Sequence, residues 1–390
     1  MRISPRRRVL PAVIAATTLC CVLIGGAFYS RISAQPRNEI TQIAPGLTLQ
    51  SVETMAPTGP LRFWIVKADP KGFDLGLEVA NPTDVVKKRS VRNLAAQSKS
   101  IVAINGGFFA YGGAAVGAVK VGGEWQRLPW RNRTSMGWSD GAALIAPLQG
   151  ELQVDLRRGN QSLARGEAAL NGFNLPGQRN AIVNGFSLLS SRFKPIYTLQ
   201  KGETAAAIDG GKVIAFYANS AQVPLGAQDY LLVARGTMAP LLADGANAPD
   251  NLRWKIQSTP DVWDSYPTIV GAGPRLVANG QVQTNEVEEE FQPDVIARGP
   301  RSAVGWDKDR NWLFLVADGR QAASVGLTIP ELATLFAQMG AVEAMNLDGG
   351  SSTQLIVNGE LVNVPSGFDP VNPTRPREVQ VTNALTLKAK

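Results

Sequence analysis

Trp312-Leu313-Phe314-Leu315-Val316-Ala317 is a near-continuous apolar run, and the residues just downstream of it leave few ways to fold this part of the chain. A run without polar alternation is the pattern of a strand buried on both faces. Asp318-Gly319-Arg320 ends it. Thr328-Ile329-Pro330-Glu331 then reads as a capping box, with Thr328 at the N-cap and Glu331 three residues on. Leu332, Leu335, Phe336 and Met339 recur at helical spacing and make one apolar face, and Gly340 fits the stop. Ala341–Leu347 returns as a strand, ended by Asp348-Gly349-Gly350. Asn358-Gly359, between Leu355-Ile356-Val357 and Leu361-Val362, predicts a hairpin with a primed turn. The unit is therefore β–α–β followed by a hairpin. If its strands are parallel in one sheet, Asp318 and Asp348 end on the same edge, where ligands of open α/β sheets sit. Ile101–Ile104, leading into Asn105-Gly106-Gly107 after a helix through Val91, Leu94 and Ala95, is a third candidate for that edge.

Elsewhere the chain shows many short β-like runs punctuated by Gly, Pro and Asn, among them Leu61–Lys67, Phe73–Val79, Lys212–Tyr217, Tyr230–Ala234 and Gln354–Val357. Helical patterns are few, and no repeat or linker divides the chain. The expected fold is α+β, with mixed sheets and few helices. Residues 35–60, polar and Pro-containing, read as a lead-in, and residues 61–390 as one domain. Two joined halves meeting within residues 155–200 are the alternative.

The first 34 residues stand apart. Arg2, Arg6, Arg7 and Arg8 precede an uncharged stretch from Val9 to Ser30, and Ile32-Ser33-Ala34 comes next. This is the layout of an export signal, or, left uncleaved, of an anchor through residues 9–30. Either way the expected location is exported: periplasmic, extracellular, or held to a membrane facing outward. The net charge is +7, but five arginines of the leader account for most of it, leaving +2 beyond residue 34. That balance does not point to nucleic acid, which needs a clustered basic face. Cys20 and Cys21 both lie in the leader, so the remainder holds no disulfide.

The chain has no histidine. That excludes Ser-His-Asp and Cys-His catalysis, His-ligated zinc and phosphohistidine chemistry. Catalysis must use carboxylates, arginine, lysine, hydroxyls, amides or backbone groups. The sequence requires no cofactor, and a metal would be an oxygen-ligated Ca²⁺ or Mg²⁺.

Asp348 is the sharpest candidate. Two glycines and two hydroxyls come after it, so backbone can approach a ligand while Ser351 and Ser352 donate. The bland reading is a tight turn with a local acceptor. Asp318-Gly319-Arg320 has the same two readings. Two carboxylates on one cavity would suit glycoside hydrolysis, and Arg301 and Arg320 would neutralise an anionic substrate. A structural salt bridge explains Arg301 equally well. Glu286, Glu288, Glu289 and Glu290 read as a solvated loop. Trp125, Trp130 and Trp138 offer a sugar-stacking wall or, for at least two of them, core packing. The glycine-rich stretches are neither a dinucleotide fingerprint nor a Walker A loop.

Taken jointly, these pieces resemble the phosphodiester glycosidase domain family. The matching positions are Arg301-Ser302-Ala303-Val304-Gly305, Val316–Arg320, Gly326-Leu327-Thr328 with Glu331-Leu332-Ala333, Asn346–Ser352, Asn358-Gly359, Val362–Ser366 and Thr382–Leu385. Upstream, Ala103–Phe109 and Gly271–Leu276 also fit; within residues 150–200 only Asn171 and Arg179-Asn180 do. The resemblance implies hydrolysis of the glycosidic bond of a sugar-1-phosphodiester in glycans or envelope polymers. It implies Asp348 as base or nucleophile and Asp318 as its partner or an anchor. Arg301 and Arg320 would hold phosphate. Asn105, Gly106, Gly107, Gly349, Gly350, Ser351, Ser352 and Asn383 would complete the substrate surface. A metal-dependent phosphodiesterase cleaving P–O, with Asp318 and Asp348 as ligands, and a non-catalytic envelope-glycan-binding protein are the alternatives.

Overall fold

Three large sheets, a two-stranded ribbon and a few short helices make up the described residues, and the apolar run at Trp312–Ala317 lies at the centre of the first sheet. Its order is Arg37–Ala44, Leu47–Ala56, Gly59–Ala68, Trp312–Ala317, Arg301–Asp307, Ala341–Asn346, Arg275–Ala278 and Gln281–Val282, each pair antiparallel. In this computed structural model the described residues are 36–175, 178, 180–283, 286–367 and 377–390. The leader expected over residues 1–34, with Cys20 and Cys21, lies outside them, as does Arg179. Among the described residues no helix is long and apolar enough to cross a membrane.

The central run is buried on both faces, as its composition requires. Leu313, Leu315 and Ala317 pack with Leu332, Ala333 and Phe336 of the helix Ile329–Gln338. Phe314 and Val316 face the opposite core with Met345 and Leu347. Full burial of side chains such as Leu332 and Phe336 is worth about 1.5–3 kcal/mol each. The capping box is formed in both directions: the Glu331 N–H donates to Thr328 Oγ1 (3.4 Å) and the Thr328 N–H to Glu331 Oε2 (2.8 Å).

Trp312–Ala317 and Ala341–Asn346 do not pair with one another. Arg301–Asp307 lies between them, antiparallel to both, so the two run parallel one strand apart. The strand–helix–strand segment is thus not an adjacent β–α–β pair. Their C-terminal ends still share an edge, which places Asp318 and Asp348 on the same side of the sheet.

A second sheet, in order Glu360–Leu361, Leu355–Val357, Val102–Asn105, Asn383–Ala389 and Phe73–Val79, stacks on the first. The turn Asn358-Gly359 has φ of +51° and +82°, the left-handed pair of a primed hairpin. In the third sheet, seven strands close on themselves because Gln161–Leu170 pairs both with Gly185–Ser190 and back onto Ala142–Arg158. Leu152, Val154, Phe186, Leu188, Leu232 and Leu252 fill the ring.

Three readings are corrected. Residues 37–56 are not a lead-in but the two outer strands of the first sheet. Their mostly exposed and half-buried positions give them little apolar signal, since one face stays in solvent. Residues 155–200 hold no boundary, for Pro36–Lys390 is one compact unit and strand pairing runs through the segment. The acidic run is not wholly solvated either. Glu289 is buried, and its carboxylate accepts from the Thr134 N–H (2.8 Å), Thr134 Oγ1 (2.6 Å) and the Arg275 N–H (3.0 Å). Such a buried acceptor joins a turn to two strands that sequence spacing does not relate.

Candidate active site

The strand Ala341–Asn346 leaves its sheet at Leu347, and the next residue is held by the second sheet. The Asp348 N–H donates to Gly106 O (3.0 Å), and Asn105 Nδ2 donates to Asp348 O (2.6 Å). Asn105 Oδ1 meanwhile accepts from Ser302 Oγ (2.6 Å) and the Gln354 N–H (3.2 Å). Asn105 is fully buried at the end of Val102–Asn105, so it clamps the Asp348 backbone and has no atom facing a substrate. A Cβ on Gly106 would lie 2.0 Å from Asn383 Oδ1, the atom that accepts from the Gly107 N–H at 2.9 Å. Asn383 is itself buried. The expectation that Asn105, Gly106, Gly107 and Asn383 bind substrate is corrected: they form the frame behind the site, because every polar side-chain atom among them is spent on protein partners.

In front of that frame is a cavity of about 320 Å³. Asp348, Gly349, Gly350, Ser351, Ser352, Arg301 and Arg320 line it, with Phe108, Phe109 and Asp294. The Asp348 carboxylate accepts from the Gly349 N–H (2.9 Å) and interacts with the Ser352 hydroxyl. Burial nevertheless dominates and raises its pKa to about 6, against those two bonds. A Cβ on Gly349 would sit 2.8 Å from Pro300 O, and Gly350 has φ +61°, so this turn needs both glycines.

Among the described residues two guanidiniums face this carboxylate's cavity. Arg301 is buried and donates to three carbonyls: Nε to Leu327 O (3.0 Å), Nη1 to Val295 O (2.7 Å) and Nη2 to Ala297 O. Arg320, at φ +59°, lies over Gly350 and Gly299, each of which has room because it lacks a Cβ. Burial first, and then the Arg320 charge, lower the Arg301 pKa to about 10. Among the described residues neither forms an ion pair with an acid, whereas the partly buried Arg235, Arg275 and Arg298 pair with Glu203, Glu343 and Glu331. The salt-bridge reading of Arg301 is therefore set aside. Two cations at one cavity, neither in an ion pair among the described residues, make a ready anion site.

Asp318 does not join them. It is buried at the end of its strand, and its carboxylate accepts from Asn363 Nδ2 (3.0 Å) and the Val364 N–H (3.1 Å and 3.2 Å to its two oxygens). Burial raises its pKa to about 6, against those bonds and the Arg62 charge. It does not line the cavity, so it is corrected from a partner of Asp348 to a brace for the loop after the hairpin. Asp318→Ala should then lower Tm by several degrees, since each buried donor left bare costs about 1–3 kcal/mol. Turnover should stay within about tenfold, because general acid–base groups contribute more than that. A large kinetic loss at unchanged Tm, measured by calorimetry beside an activity assay, would return Asp318 to the chemistry.

Among the described residues the second carboxylate at the cavity is instead Asp294, exposed in the short helix Pro293–Ile296. Nothing in Gln292-Pro293-Asp294 distinguishes it from an ordinary helix start, so only the fold reveals it. The aromatic wall is Phe108 and Phe109, carried by the glycine-rich segment, not the tryptophans. Trp138 is core and donates to Leu75 O (2.9 Å), Trp125 packs on two cores, and Trp130 lines a different cavity. Among the described residues no three acidic side chains cluster to hold a metal ion.

Residues 202–387 match the family model of the phosphodiester glycosidases, a stretch that contains Asp348, both arginines and Asp294. Mouse N-acetylglucosamine-1-phosphodiester alpha-N-acetylglucosaminidase is 34% identical over 115 residues, 27% of this chain and 22% of that protein. The chain thus matches about a fifth of the length of that curated relative. A hypothetical protein from Synechocystis has a similar solved structure, with TM-score 0.75 and 26% identity over 92% of this chain and 64% of that one. A putative exported protein from Burkholderia pseudomallei shares the fold, with TM-score 0.69 and 24% identity over 85% of this chain and 75% of that one.

Proposed function

Residues 202–387 carry the phosphodiester glycosidase pattern, and from that premise we propose that the protein is an exported hydrolase that splits the glycosidic bond of a sugar-1-phosphodiester. The observation that carries the reading is the cavity itself: one carboxylate with a pKa near neutrality, opposite two guanidiniums that have no acid partner among the described residues.

The chemistry comes from what this cavity offers. Arg301 and Arg320 receive the phosphodiester group. Asp348, ionised above about pH 6, takes a proton from water as the water oxygen attacks the anomeric carbon. The carbon–oxygen bond breaks, and its electron pair leaves on the phosphate, whose growing charge the guanidiniums stabilise. A phosphate leaves without needing much protonation, which suits a chain with no histidine. Phe108 and Phe109 offer apolar surface to the sugar ring, and Ser351 offers a hydroxyl. Export rests on the basic and then apolar layout of residues 1–34.

The test is a panel of sugar-1-phosphodiesters hydrolysed in ¹⁸O-water. Label recovered in the sugar, on an inverted anomeric centre, is the expected result. Label recovered in the phosphate would replace this reading with P–O hydrolysis, and binding without turnover across the panel would replace it with glycan binding. Retention of the anomeric configuration would make Asp348 a nucleophile instead of a base.

A further inference from the structure

A larger cavity, of about 440 Å³, lies on the other side of the segment that carries Phe108 and Phe109. This segment turns back on itself: the Val116 N–H donates to Phe108 O (2.7 Å), the Ala110 N–H to Ala114 O (2.8 Å), and Phe109 bridges to Ala115. Its first two aromatic residues line the Asp348 cavity, while Ala110 and Ala114 onward line the larger one. The two spaces therefore share a wall but not their chemistry.

The larger cavity is mostly apolar. Leu128, Pro129, Trp130, Leu170 and Leu175 supply its surface, and among the described residues no acid lines it. Arg127 stands in it at the end of the strand Glu124–Arg127. Its Nη1 donates to Asn171 O at 2.8 Å, and among the described residues it forms no ion pair. Burial alone lowers its pKa, with no carboxylate acting against it. The backbone is shaped to admit the guanidinium: a Cβ on Gly172 would lie 2.2 Å from Arg127 Nη1, and Asn171 takes φ +46°, held by its side chain to Ser190 and Gln126. A cation kept in an apolar space without a counter-ion costs stability unless something compensates it. Arg133 also lines the cavity, but its guanidinium donates to Glu289 O and Glu290 O and lies over the Phe291 ring. Concave apolar walls with a few well-placed charges are the form of a small-molecule site.

We propose that the Arg127 cavity is a second ligand site, separate from the Asp348 cavity, which takes an organic anion, a phosphate or sulfonate carried on an aromatic or other apolar body. The anion pairs with the Arg127 guanidinium, and the body rests on Trp130, Leu128 and Leu170. This assignment does not depend on turnover at Asp348.

Anilinonaphthalene sulfonate is a suitable probe because it joins an anion to fused rings and brightens in apolar surroundings. Titrated into the whole protein, it should bind saturably, with one site per chain. Arg127→Met should weaken that binding by about tenfold or more while leaving Tm within a few degrees, since an apolar side chain of similar length removes an uncompensated charge. Trp130→Ala, on the partly exposed wall, should weaken it as well, which keeps the test open if Arg127→Met folds poorly. Arg320→Ala should leave it within about twofold, because that charge belongs to the other cavity. Phenylnaphthylamine, the same rings without the sulfonate, should bind weakly and equally to the wild type and Arg127→Met. Sulfonate binding that survives both Arg127→Met and Trp130→Ala, or that is lost in Arg320→Ala, would overturn the assignment.

Discussion

Asp348→Asn should reduce turnover of a sugar-1-phosphodiester by about 10³-fold, within the range that general-base groups contribute. The amide keeps the shape and can still accept from the Gly349 N–H, so the fold should persist. The wild-type profile should locate the same group. Because burial raises the Asp348 pKa to about 6, kcat/KM should climb between pH 5 and 7 and then level off. A group acting as an acid would give the opposite slope. The raised pKa also has a sign for stability. The ionised form is disfavoured in the fold, so its penalty is full above about pH 6 and fades as pH falls toward the unfolded value of 3.8. Solvent in the cavity discounts a shift of this size to about 1–2 kcal/mol. Asp348→Asn should therefore melt a little higher than wild type at pH 8 and no higher at pH 3.5. A variant that turns over at the wild-type rate would remove Asp348 from the chemistry altogether.

Arg320→Ala should lower kcat/KM by about 10²-fold, because a charge-assisted pair to phosphate is worth about 1.5–3 kcal/mol and strengthens as negative charge develops. Its guanidinium is exposed and makes no ion pair among the described residues, so Tm should barely move. Inhibition by inorganic phosphate should weaken in parallel, and Arg320→Lys should recover part of both losses, since a point charge replaces the fork. Arg301 is the poorer target for this measurement. It also ties Leu327, Val295 and Ala297, so its removal would mix lost binding with lost structure. Unchanged phosphate inhibition in Arg320→Ala would show that the anion sits elsewhere.

The features legible in the sequence were local. The capping box at Thr328 and Glu331, the apolar helix face and the primed turn at Asn358-Gly359 each depend on residues within one or two turns of chain. The buried strand Trp312–Ala317 announced itself because both of its faces are apolar. Residues 37–56 did not, because outer strands with one wet face carry polar side chains. The closed ring of seven strands was hidden for a different reason: nothing within a strand records which distant strand completes the circuit.

The site divides in the same way. Asp318 and Asp348 look alike in sequence, each ending an apolar strand before glycine. Asn363 and Val364, more than forty positions downstream of Asp318, engage its carboxylate and leave Asp348 to the cavity. Asn105 was expected on the substrate surface only through the family resemblance. Its Ser302, Asp348 and Gln354 partners come from nearly two hundred residues away or more.

That amide has a bearing on how such a site can be inherited or moved. The part of the chain matched as a family begins at residue 202, yet the side chain that pins the Asp348 backbone stands at residue 105. The strand bearing it is the middle of a sheet whose other members come from both ends of the chain. The loop that carries Asp348 is thus not a transferable cassette. Grafting the C-terminal half onto another scaffold would carry over the carboxylate and the arginines, but leave behind the part that holds them in register.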